Sequence, residues 1–267
     1  MKRVLNYPGS KWSMADMIIK LMPPHKAYLE PFLGSGAVFF TKEKVVLETL
    51  NDADGRLVNM FCQMRNNKQK LQELISLTPY SRAEYDLSKI HSDDLLEDAR
   101  RMLVRCWMAI GGKTNADVGW RRNISWNGPY NTYEWNDMIN RIEMAAARLK
   151  DAQIECKNAI DLIQECNQKD VMIYADPPYL DETRVSKHYS NEMTNEEHIQ
   201  LLEVLKDHTG PVIISGYNSE LYSTMLSDWY VVKKETKIGI TSLKKRTIEE
   251  VLWMNYEPNG QINLLEG

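Results

Sequence analysis

The chain alternates between short apolar runs, which predict strands, and amphipathic stretches, which predict helices. Apolar or β-branched runs predict strands at residues 27–32, 45–50, 171–175, 211–215 and 248–254. A helix is predicted at residues 37–44, and Thr194 begins another that extends to about Lys206. The run at 171–175 is continuously apolar, which is typical of a strand covered on both faces.

Between these two regions the pattern is mostly helical. Helical periodicity dominates residues 55–108, with Ser81 and Ser92 as predicted N-caps, and returns at residues 133–149. We therefore predict an α/β fold with a doubly wound, mainly parallel sheet. Residues 1–55 and 150–267 would form one discontinuous domain, and residues 56–149 would form an inserted, mostly helical subdomain.

The composition is that of an ordinary globular protein. Of the 267 residues, 43% are hydrophobic and 26% are charged, and no run approaches the roughly 18 apolar residues of a membrane span. The four cysteines include no C-x-x-C pair, and the five histidines have no H-x-x-x-H spacing. These patterns, with an N-terminus that turns polar at once, predict a cytoplasmic protein with reduced thiols, no membrane association and no metal site.

Charge is unevenly distributed along the chain. The formal net charge is −4, yet nine basic residues oppose four acidic ones between Ala99 and Lys150. A basic segment in an acidic body predicts a surface for a polyanion. A solvated helix face would give the same pattern, so both interpretations stay open at this point.

A glycine turn follows the first predicted strand. Gly34-Ser35-Gly36 lets the backbone approach a ligand closely, and Asp52 follows 18 residues after Gly34. An acidic residue about 20 positions after such a turn takes the ribose hydroxyls in nucleotide-binding folds. Phe39 stands where the dinucleotide fingerprint has its third glycine, so an adenosine ligand without a pyrophosphate fits better than NAD. A purely structural turn is the alternative.

The tetrad Asp176-Pro177-Pro178-Tyr179 directly follows the apolar strand at 171–175. This position puts a carboxylate at the edge of the sheet where open α/β folds bind ligands. The Asp176 carboxylate and the Pro177 carbonyl are two acceptors, the number that an exocyclic amino group requires. Tyr179 supplies a flat face for a base. The tetrad therefore predicts a site for an amino-bearing nucleobase.

With these features the chain resembles the Dam-type DNA adenine-N6 methyltransferases of the α-group. The motifs occur in the family's order: Tyr7-Pro8-Gly9-Ser10-Lys11, Glu30-Pro31-Phe32-Leu33-Gly34-Ser35-Gly36, Asn51-Asp52, Asp176-Pro177-Pro178-Tyr179 and Ile214-Ser215-Gly216-Tyr217-Asn218. The resemblance implies transfer of a methyl group from S-adenosylmethionine to N6 of an adenine that is flipped out of double-stranded DNA.

The resemblance also implies roles for individual residues. Asp176, Pro177 and Tyr179 would be catalytic, and Asp52 would bind the cofactor ribose. The other implied cofactor-binding residues are Tyr7, Lys11, Gly34, Gly36, Asn158 and Asp176. At Asn158 relatives often carry Asp near the cofactor adenine, so this position departs from the family pattern.

The middle region then becomes the expected DNA-binding part. Cations next to aromatic side chains suit a nucleic acid, because they meet phosphates and stack on bases. The candidate DNA contacts are Lys113, Trp120, Arg121, Arg122 and Asn123. A tryptophan-rich hydrophobic core would claim some of these aromatic residues instead.

Two other functions are compatible with the same residues. One is methylation of adenine N6 in RNA or of cytosine N4 in DNA, because the same tetrad accommodates that chemistry. The other is a non-catalytic DNA-binding protein that retains the cofactor fold. The family resemblance also allows a cognate restriction enzyme as a partner.

Overall fold

The computed structural model describes residues 2–114, 118–122, 131–180, 193–241 and 244–258. Within these ranges, seven strands form one sheet: β1 (Ala27–Glu30), β2 (Leu47–Asn51), β3 (Gln153–Glu155), β4 (Val171–Ala175), β5 (Val212–Tyr217), β6 (Tyr230–Thr241) and β7 (Lys244–Met254). Their order across the sheet is β3-β2-β1-β4-β5-β7-β6. The first five strands of this order pair in parallel, and β7 is antiparallel to both β5 and β6. The predicted doubly wound, mainly parallel sheet is confirmed.

Helices cover both faces of this sheet. They are α1 (Ala15–Leu21), α2 (Ala37–Thr41), α3 (Gly55–Asn66), α4 (Lys68–Ser76), α5 (Arg82–Leu87), α6 (Leu95–Met108), α7 (Asn131–Asn136), α8 (Met138–Leu149), α9 (Ala159–Glu165), α10 (Asn195–Asp207) and α11 (Glu220–Met225). Among the described residues, every helix is too short or too polar to cross a lipid bilayer.

The hydrophobic core has two layers, one on each face of the sheet. Met172 and Tyr174 of β4 pack in the cluster that contains residues of α1 to α8, whereas Ile173 and Ala175 pack with α9 to α11. Successive side chains of a strand point to opposite faces, and both sets are buried. The helices between β2 and β3 therefore share one core with the sheet. That residues 56–149 form a target-recognition subdomain stays a prediction.

Two edge strands are missing from the predicted elements. The strand β3 is short and polar, and it forms through parallel pairing with β2. The strand β6 pairs with β7 along most of its length. Because of this pairing β7 begins at Lys244, four residues before the predicted start at 248. Neither edge strand has a clear apolar run of its own, since its structure depends on its neighbour.

The predicted helix caps are partly wrong. Ser81 caps α5 by accepting a hydrogen bond from the Glu84 N–H, as expected. Ser92 does not cap α6, because Asp94 accepts the N–H groups of the first turn instead. Thr194 and Glu197 form a reciprocal capping box at the start of α10.

Candidate active site

A cavity of about 180 Å³ opens at the carboxyl ends of β1, β2 and β4. In a parallel sheet these ends lie at one edge, so segments far apart in the sequence meet there. The residues that follow β1, β2 and β4 all contribute to the wall, together with the N-terminal segment 7–11. The cavity therefore brings together four of the predicted motifs.

The glycine turn after β1 requires two backbone conformations that favour glycine. Gly34 has φ +47° and Gly36 has φ +64°, both in the left-handed region. Gly34 lies on the cavity wall beside the ring of Tyr7. Gly36 instead begins α2, where an added Cβ would lie 2.8 Å from the ring of Phe40. The structure thus puts Gly34 on the cavity and gives Gly36 a part in the turn beneath it.

Asp52 directly follows β2 and faces the same cavity. Its Oδ2 accepts a 2.8 Å hydrogen bond from the Gly34 N–H, and its Oδ1 accepts a 2.9 Å bond from the Asp54 N–H. Burial raises the pKa of Asp52 to about 6, and the nearby charge of Asp54 adds to the shift while the two backbone donors oppose it. The carboxylate is thus held in one orientation with lone pairs available toward the cavity.

Three further predicted cofactor-binding residues also line this cavity. They are Tyr7, Lys11 and Asn158. Lys11 is only 4% exposed, and its Nζ donates a 2.8 Å hydrogen bond to the carbonyl oxygen of Gly9. Asn158 caps α9, because its Oδ1 accepts a 2.8 Å hydrogen bond from the Ile160 N–H. Asn158 therefore has a structural role as the N-cap of α9 in addition to its predicted role in cofactor binding.

Asp176 extends the end of β4 into the cavity, and partners from two directions orient it. Its Oδ1 accepts a 2.7 Å hydrogen bond from the Ser215 hydroxyl of β5. Its Oδ2 lies 3.0 Å from the Lys11 Nζ. Because both carboxylate oxygens are engaged, the side chain is fixed before any ligand binds.

An aromatic pair stands beside Asp176. The ring centroids of Tyr179 and Tyr217 are 4.4 Å apart, in an edge-to-face arrangement. The Nζ of Lys11 lies 4.8 Å from the centre of the Tyr179 ring. Of the predicted tetrad, Asp176 and Pro178 are on the cavity wall, and Pro177 is buried. Lys11 therefore links the cavity to the aromatic pair.

Glu30 is a buried carboxyl group in this cavity that was not among the predicted site residues. Its Oε2 accepts hydrogen bonds from the Tyr28 hydroxyl at 2.7 Å and from the Phe39 N–H at 3.1 Å. Burial raises the pKa of Glu30 to about 8, and the negative charge of Asp176 contributes. The signal that could have identified it is the one that identified Asp176, an acidic residue at the end of a buried strand.

The charge of the cavity wall suits a cationic ligand. The wall carries four carboxylates, from Asp52, Asp54, Asp176 and Glu197, against the single ammonium of Lys11 among its described residues. Glu30 also lines the wall, but its raised pKa keeps it protonated and neutral near pH 7. The sulfonium of S-adenosylmethionine is a cation, and its ribose offers hydroxyl donors to Asp52. The residues present therefore fit this cofactor. Within the described ranges, no three acidic, histidine or cysteine side chains are grouped so that they could hold a metal ion.

Those predicted DNA-binding residues that the structure describes follow α6, and other residues of this region hold them in place. Trp120 is half-buried, with its ring 6.0 Å from Tyr80 and 4.9 Å from the Arg82 guanidinium. The Arg121 N–H donates a 2.7 Å hydrogen bond to the Met108 carbonyl. Trp120 thus packs against the core, as the alternative interpretation expected for some of the aromatic residues.

The remaining candidates differ in exposure. Arg122 is exposed, whereas Lys113 and Arg121 are half-buried. Asn123 lies outside the described residues. The structure brings Lys113, Trp120, Arg121 and Arg122 into one part of the protein, on the chain that follows α6.

Most arginines of the basic segment pair with acidic side chains inside the fold. Ion pairs join Arg100 to Glu84 and Glu97, Arg101 to Glu97, Arg141 to Glu134 and Asp137, and Arg148 to Glu48. Several of these partners lie outside residues 99–150. The interpretation of the nine-to-four excess as a polyanion surface is therefore wrong for these four arginines.

Comparisons with known proteins identify the family to which the sequence is similar. Residues 7–240 match the family described as D12 class N6 adenine-specific DNA methyltransferase. The chain is 28% identical over 273 residues to the type II methyltransferase M1.LlaDCHI of Lactococcus lactis subsp. cremoris, covering 94% of each chain. It is 23% identical to the DNA adenine methylase of Escherichia coli strain K12, covering 95% of each chain. An rRNA methylase from Streptococcus thermophilus superposes with a TM-score of 0.41 at 5% identity, covering 91% of this chain and 93% of that one.

Proposed function

Since this chain belongs to the D12 class N6 adenine-specific DNA methyltransferases, we propose that the Asp176-Pro177-Pro178-Tyr179 turn binds an adenine flipped out of duplex DNA for methylation at N6. The family membership favours adenine in DNA over the alternatives of RNA and cytosine N4. The observation that carries the proposal is the position of Asp176 between the cofactor-type cavity and the aromatic pair of Tyr179 and Tyr217.

S-adenosylmethionine, when bound, supplies an electrophilic methyl group. In the proposed arrangement Asp52 accepts hydrogen bonds from the ribose hydroxyls, and Gly34 and Tyr7 form the adjoining wall. Lys11 and Asn158 belong to the same lining. Gly36 acts indirectly, because it allows the turn that brings Gly34 to the cavity.

The chemical task of the chain is to make a poor nucleophile react. The amino nitrogen of adenine has a lone pair that is delocalised into the ring. Hydrogen bonds from its two N–H groups to the Asp176 carboxylate and the Pro177 carbonyl favour a more tetrahedral nitrogen, whose lone pair then points at the methyl group. Such preorganised partners contribute on the order of 10²–10³ in rate each. As the bond from the nitrogen to the methyl carbon forms, the bond from that carbon to sulfur would break and S-adenosylhomocysteine would leave as a neutral thioether. The nitrogen would lose one proton to the Asp176 carboxylate, to which it is hydrogen-bonded in this arrangement.

A flipped adenine also needs a surface to replace its lost stacking. Unpairing and unstacking a base costs a few kcal/mol. Stacking on Tyr179 would offset about 1–3 kcal/mol of that cost. Phosphate contacts from the segment after α6, with Lys113, Arg121 and Arg122 as candidates, would hold the distorted duplex in register. Asn123, which is outside the described residues, is a candidate for contact with a base edge. Trp120 would support this segment from within.

Two further expectations concern the setting of the reaction. The relatives named as type II methyltransferases make a cognate restriction enzyme a proposed partner for this chain as well. The cytoplasm is the proposed location, because DNA and S-adenosylmethionine are both available there.

The decisive experiment measures methylation of DNA by the purified protein with labelled S-adenosylmethionine, followed by digestion to nucleosides. The expected product is N6-methyladenosine in its deoxy form, and long-read sequencing of DNA from an expressing host identifies the methylated sequence. Asp176→Ala should lower turnover at least a hundredfold while the fold persists. Asp170→Ala is the matched control, because Asp170 lies at the other end of β4 and is exposed. More than a tenth of wild-type activity in Asp176→Ala would contradict the assignment.

A further inference from the structure

The Lys11 ammonium lies at the place that the target amino group needs. It lies 3.0 Å from Oδ2 of Asp176 and 4.8 Å from the centre of the Tyr179 ring. The other Asp176 oxygen accepts from Ser215. The ammonium therefore stands at the junction of the carboxylate and the aromatic face.

The proposed function assigns the same junction to adenine. Its amino group must donate to Asp176 while its ring stacks on Tyr179. A cation on the ring face and on the carboxylate competes with both contacts. If the proposed function holds, the Lys11 ammonium must therefore find another partner when the base arrives.

Glu250 of β7 lies on the same face of the sheet. It pairs directly with Tyr217 of β5 and, on its other side, with Lys234 of β6. Residues directly opposite each other in antiparallel strands point to the same face. Ser215, two residues before Tyr217, shares that face and contacts Asp176. Glu250 is therefore a neighbour of the Asp176 site through the register of β5 and β7.

One oxygen of Glu250 is available for a new partner. Its Oε2 is inaccessible to solvent and accepts no hydrogen bond from any residue in the described part of the chain. A buried carboxylate oxygen without a donor is costly, and a cation that reaches it relieves that cost. The charged groups that act on Glu250 are Lys11, Asp176 and Lys234. Burial raises the pKa of Glu250, and the Lys11 charge is the largest influence opposing the rise.

Of these two cations, Lys11 is the one that contacts Asp176, so the docking base would displace Lys11 rather than Lys234. The Lys234 Nζ donates a 3.2 Å hydrogen bond to the carbonyl oxygen of Ser13. Lys11 has a flexible four-carbon stem that can turn its ammonium between neighbouring carboxylates. Lys11 is therefore the cation that suits a transfer to Glu250.

We propose that the Lys11 ammonium, which contacts Asp176, moves to Glu250 when the target adenine docks. Glu250 is in this view a positioning residue, which acts on the base through Lys11. The exchange keeps the ammonium paired while the Asp176 oxygen becomes available to the amino group. Without Glu250, docking of the base must leave the ammonium in a less favourable place.

The test compares Glu250→Gln with Glu249→Gln. Gln keeps the size of the side chain and removes its charge. Glu249 is a matched control on the same strand, because it points to the opposite face and pairs with Lys233 at 2.9 Å. Docking is measured with S-adenosylhomocysteine bound, on a duplex with 2-aminopurine beside the target adenine, whose fluorescence rises when the adenine leaves the stack.

Glu250→Gln should weaken docking about tenfold, as expected for the loss of one charge-assisted hydrogen bond. Affinity for S-adenosylmethionine and the melting temperature should stay at wild-type values. Glu249→Gln should behave as the wild type in all three measurements. Equal docking in Glu250→Gln and Glu249→Gln would overturn the proposal.

A double-mutant cycle then separates an effect through Lys11 from a direct one. In a Lys11→Met background no ammonium has to move, so Glu250→Gln should change docking less than twofold. The same tenfold loss in both backgrounds would mean that Glu250 acts without Lys11 and would overturn the proposal. A wild-type protein that does not methylate DNA would overturn the proposed function together with it, whereas an active enzyme with an unaffected Glu250→Gln variant rejects this inference alone.

Discussion

The backbone N–H of Gly34 donates a 2.8 Å hydrogen bond to Oδ2 of Asp52, and this bond joins the turn after β1 to the end of β2. The two residues were identified separately, one as a site of close backbone approach and the other as a ribose acceptor. Their contact means that the glycine turn also orients the acidic side chain. A change in either residue should therefore alter cofactor binding.

Cofactor affinity should depend on pH through Asp52. Its pKa is raised to about 6 by burial, and only the ionised carboxylate accepts from both ribose hydroxyls. Affinity for S-adenosylmethionine should therefore be constant above about pH 7 and fall as the pH drops through 6, by up to about tenfold per pH unit below that value. Calorimetry between pH 5 and 8 measures this dependence.

The variant Asp52→Asn is the control for that titration. It keeps an acceptor for the Gly34 N–H but loses the charge, so the affinity at pH 7.5 should fall by about 1.5–3 kcal/mol. The decrease below pH 6 should disappear. If Asp52→Asn retained the wild-type dependence on pH, another group would be responsible and the ribose site would lie elsewhere.

Glu30 should make folding stability depend on pH in the direction opposite to most acidic residues. Its folded pKa is about 8, whereas an unfolded glutamate titrates near 4.5. Between these values the folded state holds a proton that the unfolded state has released, so stability falls as the pH rises from 4.5 to 8. The loss approaches about 5 kcal/mol, since each pKa unit is worth about 1.4 kcal/mol.

Glu30→Gln should remove this loss. The amide resembles the protonated acid and keeps an acceptor for Tyr28 and Phe39. The variant should be more stable than the wild type at pH 8 and should converge with it near pH 5, as measured by urea unfolding. The exposed Glu43 provides the control, because Glu43→Gln should give no such difference at either pH. A wild type that is as stable as Glu30→Gln at pH 8 would exclude a buried proton at this site.

Two arginines of the basic segment should have separable roles. Arg122 is exposed in the segment after α6, and Arg122→Ala should weaken duplex binding and flatten its salt dependence by about one unit of log–log slope. Arg148 instead pairs with Glu48, which is buried beside Lys42. Arg148→Ala should lower the free energy of unfolding by about 2–4 kcal/mol and leave the salt slope unchanged.

Titrations of a fluorescent duplex at several salt concentrations, together with urea unfolding, distinguish these roles. If Arg148→Ala kept the stability of the wild type but lost a unit of salt slope, Arg148 would contact DNA instead of stabilising the fold. If Arg121→Ala and Arg122→Ala both keep the wild-type slope, the duplex contacts a different part of the protein.

The sequence predicted those parts of the fold and site whose signals are local. A continuous apolar run identified β4, and the tetrad that follows it identified Asp176. The neighbours of Asp176 were not predictable in this way, because Lys11 precedes it by 165 residues and only the order of the sheet brings them together. The same limit applies to Arg148. The sequence counts its charge toward a DNA-binding surface, but in the structure it pairs with Glu48, 100 residues earlier in the chain.

Register imposes a second limit. Glu250 was within a predicted strand, but its face depends on the pairing of β7 with β5. A shift by one residue would turn Glu250 away from the site and turn Glu249 toward it. Short polar edge strands such as β3 are missing from the prediction for a related reason, since a neighbouring strand stabilises them.

Tyr179 should control the step in which the base leaves the duplex. Its ring meets Tyr217 edge to face at 4.4 Å, and this contact holds the ring beside Asp176. Tyr179→Ala removes the stacking surface, so methylation of a paired adenine should slow by about tenfold or more. A mismatched adenine is cheaper to flip, and its methylation should slow less. Single-turnover rates on matched and mismatched duplexes measure the two effects, with Tyr179→Phe as the variant that keeps the ring. Equal slowing on both duplexes would mean that Tyr179 acts in the chemical step rather than in holding the flipped base.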